Sequence, residues 1–201
     1  DTMGVDALRF TLASMSVHGR DVLLSDSRIQ GYRNFATKIW NAARFVHMHF
    51  DGVTVAKPDL SDEVNQWIWN ALRKATEDVN QALDGYRFFE AAERLYHFIW
   101  SEYCDWYLEL IKVDIEGRKT RADSTAVEVL EQALRLLHPV MPFVTEEIWQ
   151  SLSIRPAGKS ISLAPYPKAA SLPEYPEASD RIARVVRIVE AIRTRRGENN
   201  V

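Results

Sequence analysis

From Val5 to Leu152 the apolar residues recur every three or four positions, with no comparable run alternating as a strand would. A chain patterned this way buries its apolar surface by laying helices against one another. The spacing therefore predicts an all-α fold, an antiparallel helix bundle over residues 1–152. Val5, Leu8, Leu12 and Met15 form a first short stripe that stops near Gly19. A long helix is predicted from Tyr32 to Phe50, ended by the turn signal Asp51-Gly52. After Pro58, Ser61 is placed to cap the next helix, with Asp62 and Glu63 favourable in its partly positive first turn. Val64, Ile68, Leu72, Ala75 and Val79 carry that helix to Asp84-Gly85. A fourth helix is predicted over Phe88–Lys112 and a fifth over Ser124–Leu137, ended by His138-Pro139. Pro142 opens a short sixth, because its fixed φ suits a first helical turn.

The pattern changes after Leu152. Five of the eight prolines fall between Arg155 and Pro176, which predicts an extended connector with one short strand at Ile161–Leu163. A last amphipathic helix follows, with Ile182, Val185, Val186, Val189 and Ile192 on one face. Residues 153–201 are accordingly expected to form a small truncated C-terminal appendage, the start of a next segment. The first residue is Asp1 rather than methionine, so the chain reads as a piece of something longer.

Composition removes several classes. With 201 residues and 46% hydrophobic content the chain can build a sizeable core, too apolar for intrinsic disorder. Its longest uncharged run is about a dozen residues, short of the roughly 20 a membrane span needs. The N-terminus lacks the basic start and apolar stretch of a signal peptide. One cysteine, Cys104, permits no internal disulfide and no Cys-based zinc cage, which suits a reducing cytoplasm. The expectation is a cytoplasmic monomer without membrane contact.

Net charge is −3, yet its distribution is uneven. No acidic residue occurs from Ser27 to Phe50, where Arg28, Arg33, Lys38 and Arg44 stand with His47 and His49. A local basic stripe on an acidic protein suits a site-selective polyanion binder, because the remaining surface repels wrong docking. A solvated helix face would have the same composition.

Enzyme motifs are missing. The sequence has no Gly-rich phosphate loop, no His-Glu-x-x-His zinc helix and no Gly-x-Ser-x-Gly elbow. His47 and His49 are two apart on a helix and point to different faces, so they share no metal. Cys104, among aromatic neighbours and near Glu102 and Asp105, reads as a small core residue rather than a nucleophile. Glu102, Asp105 and Glu109 fall on one helix edge. Such an edge can hold a cation, accept base amino protons or form salt bridges. No catalytic residue, metal site or cofactor is expected in the chain itself.

The helix from Tyr32 to Phe50 is the informative one. At 100° per residue, Phe35, Ile39, Ala42, Ala43, Val46 and Phe50 cluster within about a third of the wheel, the core face. Asn34, Lys38, Asn41 and Phe45 share another face, flanked by Arg33 and Arg44. Phe45 is an aromatic ring among amides and cations. It is either a stacking platform for an unpaired base, worth roughly 1–3 kcal/mol, or a residue packed on another helix.

Several segments carry a family resemblance. Asp6-Ala7-Leu8-Arg9-Phe10-Thr11-Leu12, Gly19-Arg20-Asp21 and Asn34-Phe35-Ala36-Thr37-Lys38-Ile39-Trp40-Asn41-Ala42-Ala43-Arg44-Phe45 resemble the anticodon-binding helical domain of bacterial valyl-tRNA synthetases. So do Trp100-Ser101-Glu102-Tyr103-Cys104-Asp105-Trp106-Tyr107-Leu108-Glu109 and Leu137-His138-Pro139-Val140-Met141-Pro142-Phe143-Val144-Thr145-Glu146-Glu147-Ile148-Trp149. The resemblance covers nearly the whole chain. It implies a class I aminoacyl-tRNA synthetase, which joins valine to its tRNA using ATP and magnesium in a catalytic domain of the same parent chain. That chemistry uses a His-Ile-Gly-His-like motif and a Lys-Met-Ser-Lys-Ser loop, neither of which is present here. The chain alone is therefore expected to carry no aminoacylation or editing activity, and to recognise the anticodon arm of valine tRNA.

By matching motif position, the resemblance assigns Phe45 to stacking, Lys38 and Arg44 to backbone contacts, and Leu108 and Glu109 to base-edge contact, with Asn41 on the same face. Valine anticodons share an A then a C at their last two positions, both with exocyclic amino donors that a carboxylate accepts from. In the Ser25–Ile29 loop, Ser27 stands where a basic residue is often found, and Arg28 beside it is the candidate replacement. A helical protein–protein interaction module, with Phe45 meeting a partner helix, is the alternative reading.

Overall fold

A computed structural model describes residues 3–16, 24–50, 60–116, 124–152 and 158–198, with 113–116 described in backbone only. Eight α-helical segments occur among the described residues, and no strand. They are α1 (Val5–Met15), α2 (Asp26–His49), α3 (Glu63–Asp84), α4 (Phe88–His97), α5 (Leu108–Glu116), α6 (Thr125–Leu137), α7 (Pro142–Ser151) and α8 (Pro176–Glu198). The predicted stops at Gly19 and at Asp51-Gly52, and the break at Pro58, lie outside the described residues.

Helix α2 begins six residues earlier than the periodicity predicts. Ser25 is extended at its N-cap and Asp26 sits in the first turn, so the expected loop at Ser25–Ile29 is helical instead. Gly31 inside the helix costs about 1 kcal/mol relative to alanine. The rings beside it offset that cost: Phe10 of α1 lies 4.8 Å from Tyr32 and 5.2 Å from Phe35, and Phe35 lies 4.8 Å from Tyr96. The cap of α3 also differs by one residue. Asp62, not Ser61, is the N-cap, its carboxylate accepting from the Val64 and Asn65 amides at 2.8 and 3.2 Å.

The fourth predicted helix is continuous, but its middle is wound differently. Between α4 and α5, Phe98–Tyr107 is a π-helix, and the Leu108 amide donates to the Tyr103 carbonyl five residues back. Two buried hydroxyls pin this stretch: Tyr103 donates to the Ala126 carbonyl at 2.7 Å and Tyr107 to Asn65 at 3.0 Å. Cys104 is buried here, and burial pushes its thiol up to about 12. The native protein should therefore resist iodoacetamide at pH 8 while the urea-unfolded chain reacts readily. Rapid alkylation of the native protein would contradict this burial.

Helices α6 and α7 close the bundle. Asp6, buried on α1, caps α7 across the fold, accepting from the Phe143 and Val144 amides at 3.3 and 2.7 Å. Glu131 is buried mid-helix on α6, where it accepts from Trp149 Nε1 at 2.8 Å and from Arg135 Nε at 2.6 Å.

The expected strand at Ile161–Leu163 is a 3-10 turn. Among the described residues there is no strand for it to pair with, and the Ser160 hydroxyl accepts from the Ser162 amide at 3.2 Å to close the turn locally. The connector is tied to α3: Arg73 donates to the Ala169 and Leu172 carbonyls, and Asn80 to that of Pro167. Helix α8 buries only Ala178 and Ile182; further along, Val185, Ile188 and Ile192 are exposed at 43, 60 and 53%. Among the described residues no helix is long and apolar enough to cross a membrane.

Candidate nucleic-acid interface

The wheel of α2 holds. Phe35, Ile39, Ala42, Ala43 and Val46 are buried; Phe50, one residue past the helix end, is half-buried. On the opposite side Arg33, Asn41 and Arg44 are exposed, whereas Arg28, also exposed, stands two turns before Phe35 on the core-facing side, beside Phe10 and Ser14 of α1; none of these arginines pairs with an acid among the described residues. At 1.5 Å per residue, Lys38 to Phe45 spans roughly 10 Å of helix, within reach of one loop of nucleic acid. Arg28 lies about 25 Å from Phe45 along the same axis, so it does not join the cluster.

Lys38 is held by two residues of the π-helical stretch. Its ammonium pairs with Asp105 and lies 4.0 Å from the centre of the Trp100 ring. Five residues separate Trp100 from Asp105. In an α-helix they would be about 140° apart, on different faces. The π-helix bonds residues five apart and so brings both under one lysine.

A second cation organises the other end. Lys112 Nζ lies 2.5 Å from Glu109 Oε1 and 5.4 Å from the centre of the Phe45 ring. That ring is half-buried, 4.7 Å from the His49 ring and 6.2 Å from Phe50. It packs on the edge of the core and keeps one part at the surface. Leu108 is 5% exposed, so its side chain anchors the helix and leaves Glu109 as the outward group. All three acids of the edge are paired: Glu102 with Arg94 at 3.0 Å, Asp105 with Lys38, Glu109 with Lys112. Among the described residues, no cluster of histidine, cysteine and acids is arranged to hold a metal ion.

Sequence reasoning missed Lys112, although its spacing three residues after Glu109 is a readable helical pair. It also missed Trp40, 42% exposed on α2. Arg33, Trp40 and Arg44 are seven and four residues apart, which sets all three on one line of the helix.

The arrangement offers a ring, a carboxylate and several cations on one face, the components used for unpaired nucleotides. The chain is similar to known proteins over its whole length. The family model for the anticodon-binding domain of tRNA ligase matches residues 65–201. The chain is 46% identical to a valine–tRNA ligase of Geobacter sulfurreducens, over 100% of this chain and 24% of that protein. It is 41% identical to the valine–tRNA ligase of Rhizobium meliloti, over 100% of this chain and 22% of that one. Over 75% of its length it is 51% identical to the valine–tRNA ligase of Chromobacterium violaceum, covering 17% of it. The chain thus spans about a quarter of the length of the first two. A similar fold occurs in a crystal structure of a ternary complex of Agrobacterium radiobacter LeuRS with tRNA and LeuAMS, with a TM-score of 0.63 and 16% identity, over 84% of this chain and 20% of that one. The chain belongs to the family of anticodon-binding domains of tRNA ligases.

Proposed function

We propose that this chain reads the anticodon loop of valine tRNA within a valine–tRNA ligase. The observation that carries the reading is the shared lysine: Lys112 touches both the Phe45 ring and the Glu109 carboxylate, so a stacking surface and a base-edge acceptor are neighbours. Phe45 stacks a loop base, Glu109 accepts from an exocyclic amino group, and Lys38 and Arg44 hold phosphates, with Asn41 between them. Sequence identity above 40% to valine–tRNA ligases over the whole chain supports the choice of valine. The parent protein ligates valine to its tRNA in the cytoplasm, as a monomer, using ATP and magnesium bound to its catalytic domain. The present chain supplies recognition without turnover.

A filter-binding titration with the valine-tRNA anticodon stem-loop tests this. Binding should weaken steeply with monovalent salt, and replacing the shared A and C of the anticodon should weaken it about tenfold or more. Lys38→Ala and Arg44→Ala should each lower the salt slope by about one unit. Equal binding of the two RNAs, or none, would overturn the reading. Salt-insensitive capture of a partner protein in place of RNA would favour an interaction module.

A further inference from the structure

Helix α8 leaves the bundle gradually. Ala178 and Ile182 are buried; beyond them only Val186 and Val189 are half-buried, on a helix that runs beside the π-helical stretch. The wedge between them is a cleft of about 920 Å³, whose walls include Trp67, Trp106, Asp105, Glu109, Arg187 and Arg193. Asp105 and Glu109 belong to the candidate interface as well, so the cleft opens directly onto it. Its aromatic wall is Trp106, half-buried, with the Arg193 guanidinium 5.1 Å from the ring centre. Arg193 is exposed and pairs with no acid among the described residues.

The contact repeats a pattern. Three cation–ring pairs occur among the described residues: Lys38 on Trp100, Lys112 on Phe45 and Arg193 on Trp106. The first two are linked to the cleft by acids that line it, Asp105 paired with Lys38 and Glu109 with Lys112, and the third lies in its wall. A ring covered by a cation is a surface whose π-face already binds charge, and a base can take the same face while the released cation turns to a phosphate. The acids lining the cleft give the acceptors that exocyclic amino groups need, and Arg187 adds a second cation.

We propose that this cleft is a second nucleotide site, in which an unpaired base of the bound RNA replaces Arg193 on the Trp106 ring and Arg193 passes to the adjoining phosphate. The proposal rests on the anticodon-loop reading and extends it: the RNA strand that leaves Phe45 continues past Glu109 into the cleft. The recognised ligand is a run of unpaired nucleotides longer than the site around Phe45 alone accommodates.

The test uses the present chain and the valine anticodon stem-loop carrying a fluorescent purine analogue at successive loop positions. Arg193→Gln, on an exposed turn, should leave the melting temperature unchanged and reduce the salt slope by about one unit. Trp106→Leu should weaken binding about tenfold or more and abolish the quenching of one loop position in particular. If Trp106→Leu fails to fold, Arg193→Gln decides alone. An unchanged salt slope in Arg193→Gln, alongside weakened binding in Lys38→Ala and Phe45→Ala, would overturn the cleft site and leave the anticodon reading standing. Failure of the unsubstituted chain to bind the stem-loop would remove both.

Discussion

Glu131→Ala is expected to destabilise the protein by about 3 kcal/mol, a large fraction of what a domain of this kind has. The side chain is 6% exposed and accepts both the Trp149 indole and the Arg135 guanidinium. Its removal leaves the Trp149 N–H buried without a partner, which costs about 1–3 kcal/mol. It also strands a guanidinium that is only 22% exposed. Arg135 retains one bond, to the Pro165 carbonyl at 3.2 Å, which keeps the loss at the lower end of the range for broken buried pairs. Glu131→Gln keeps an acceptor for the indole and should cost clearly less. Urea unfolding monitored by circular dichroism measures both; a loss below about 1 kcal/mol for Glu131→Ala would show that the pair contributes little.

Phe45→Ala is expected to weaken stem-loop binding by roughly 1–3 kcal/mol, with the salt slope unchanged because no charge is removed. It should also lower stability, by less than the ~3–5 kcal/mol of a fully buried phenylalanine. The ring is half-buried and touches His49 and Phe50, so truncation loses some packing but opens no enclosed cavity. Lys112 keeps its bond to Glu109 in the variant, so the acceptor stays in place. Melting temperature and affinity measured together separate the two contributions. A large drop in melting temperature with unchanged affinity of the folded fraction would end the stacking assignment.

The helices were legible because burial follows a period of 3.6 residues, and five of the six residues assigned to the core face of α2 are buried. Caps and turns were less legible. Ser61 and Asp62 both suit an N-cap, and only the geometry of α3 selects the carboxylate. Ile161–Leu163 has β-branched and apolar residues but no neighbouring strand, and a strand cannot be read from one segment alone. In the candidate site, the exposure of Arg44 and Asn41 was readable from the wheel. The burial of Leu108 was not, because it depends on where the π-helical stretch ends. Nor was the meeting of Arg193 with Trp106, residues 87 positions apart that only the path of α8 brings together.

The π-helical stretch also bears on how this surface tolerates change in length. Winding Phe98–Tyr107 more loosely than an α-helix sets the angular phase of everything after it, as an offset sets the phase of a vernier. Deleting one residue there without relaxation to α geometry would shift that phase and turn Glu109 and Lys112 about the helix axis. The rod would remain helical and the core contacts before it would be kept, yet the carboxylate would no longer stand beside Phe45. Substitutions in this stretch alter single contacts; a change in its residue count re-aims every side chain after it.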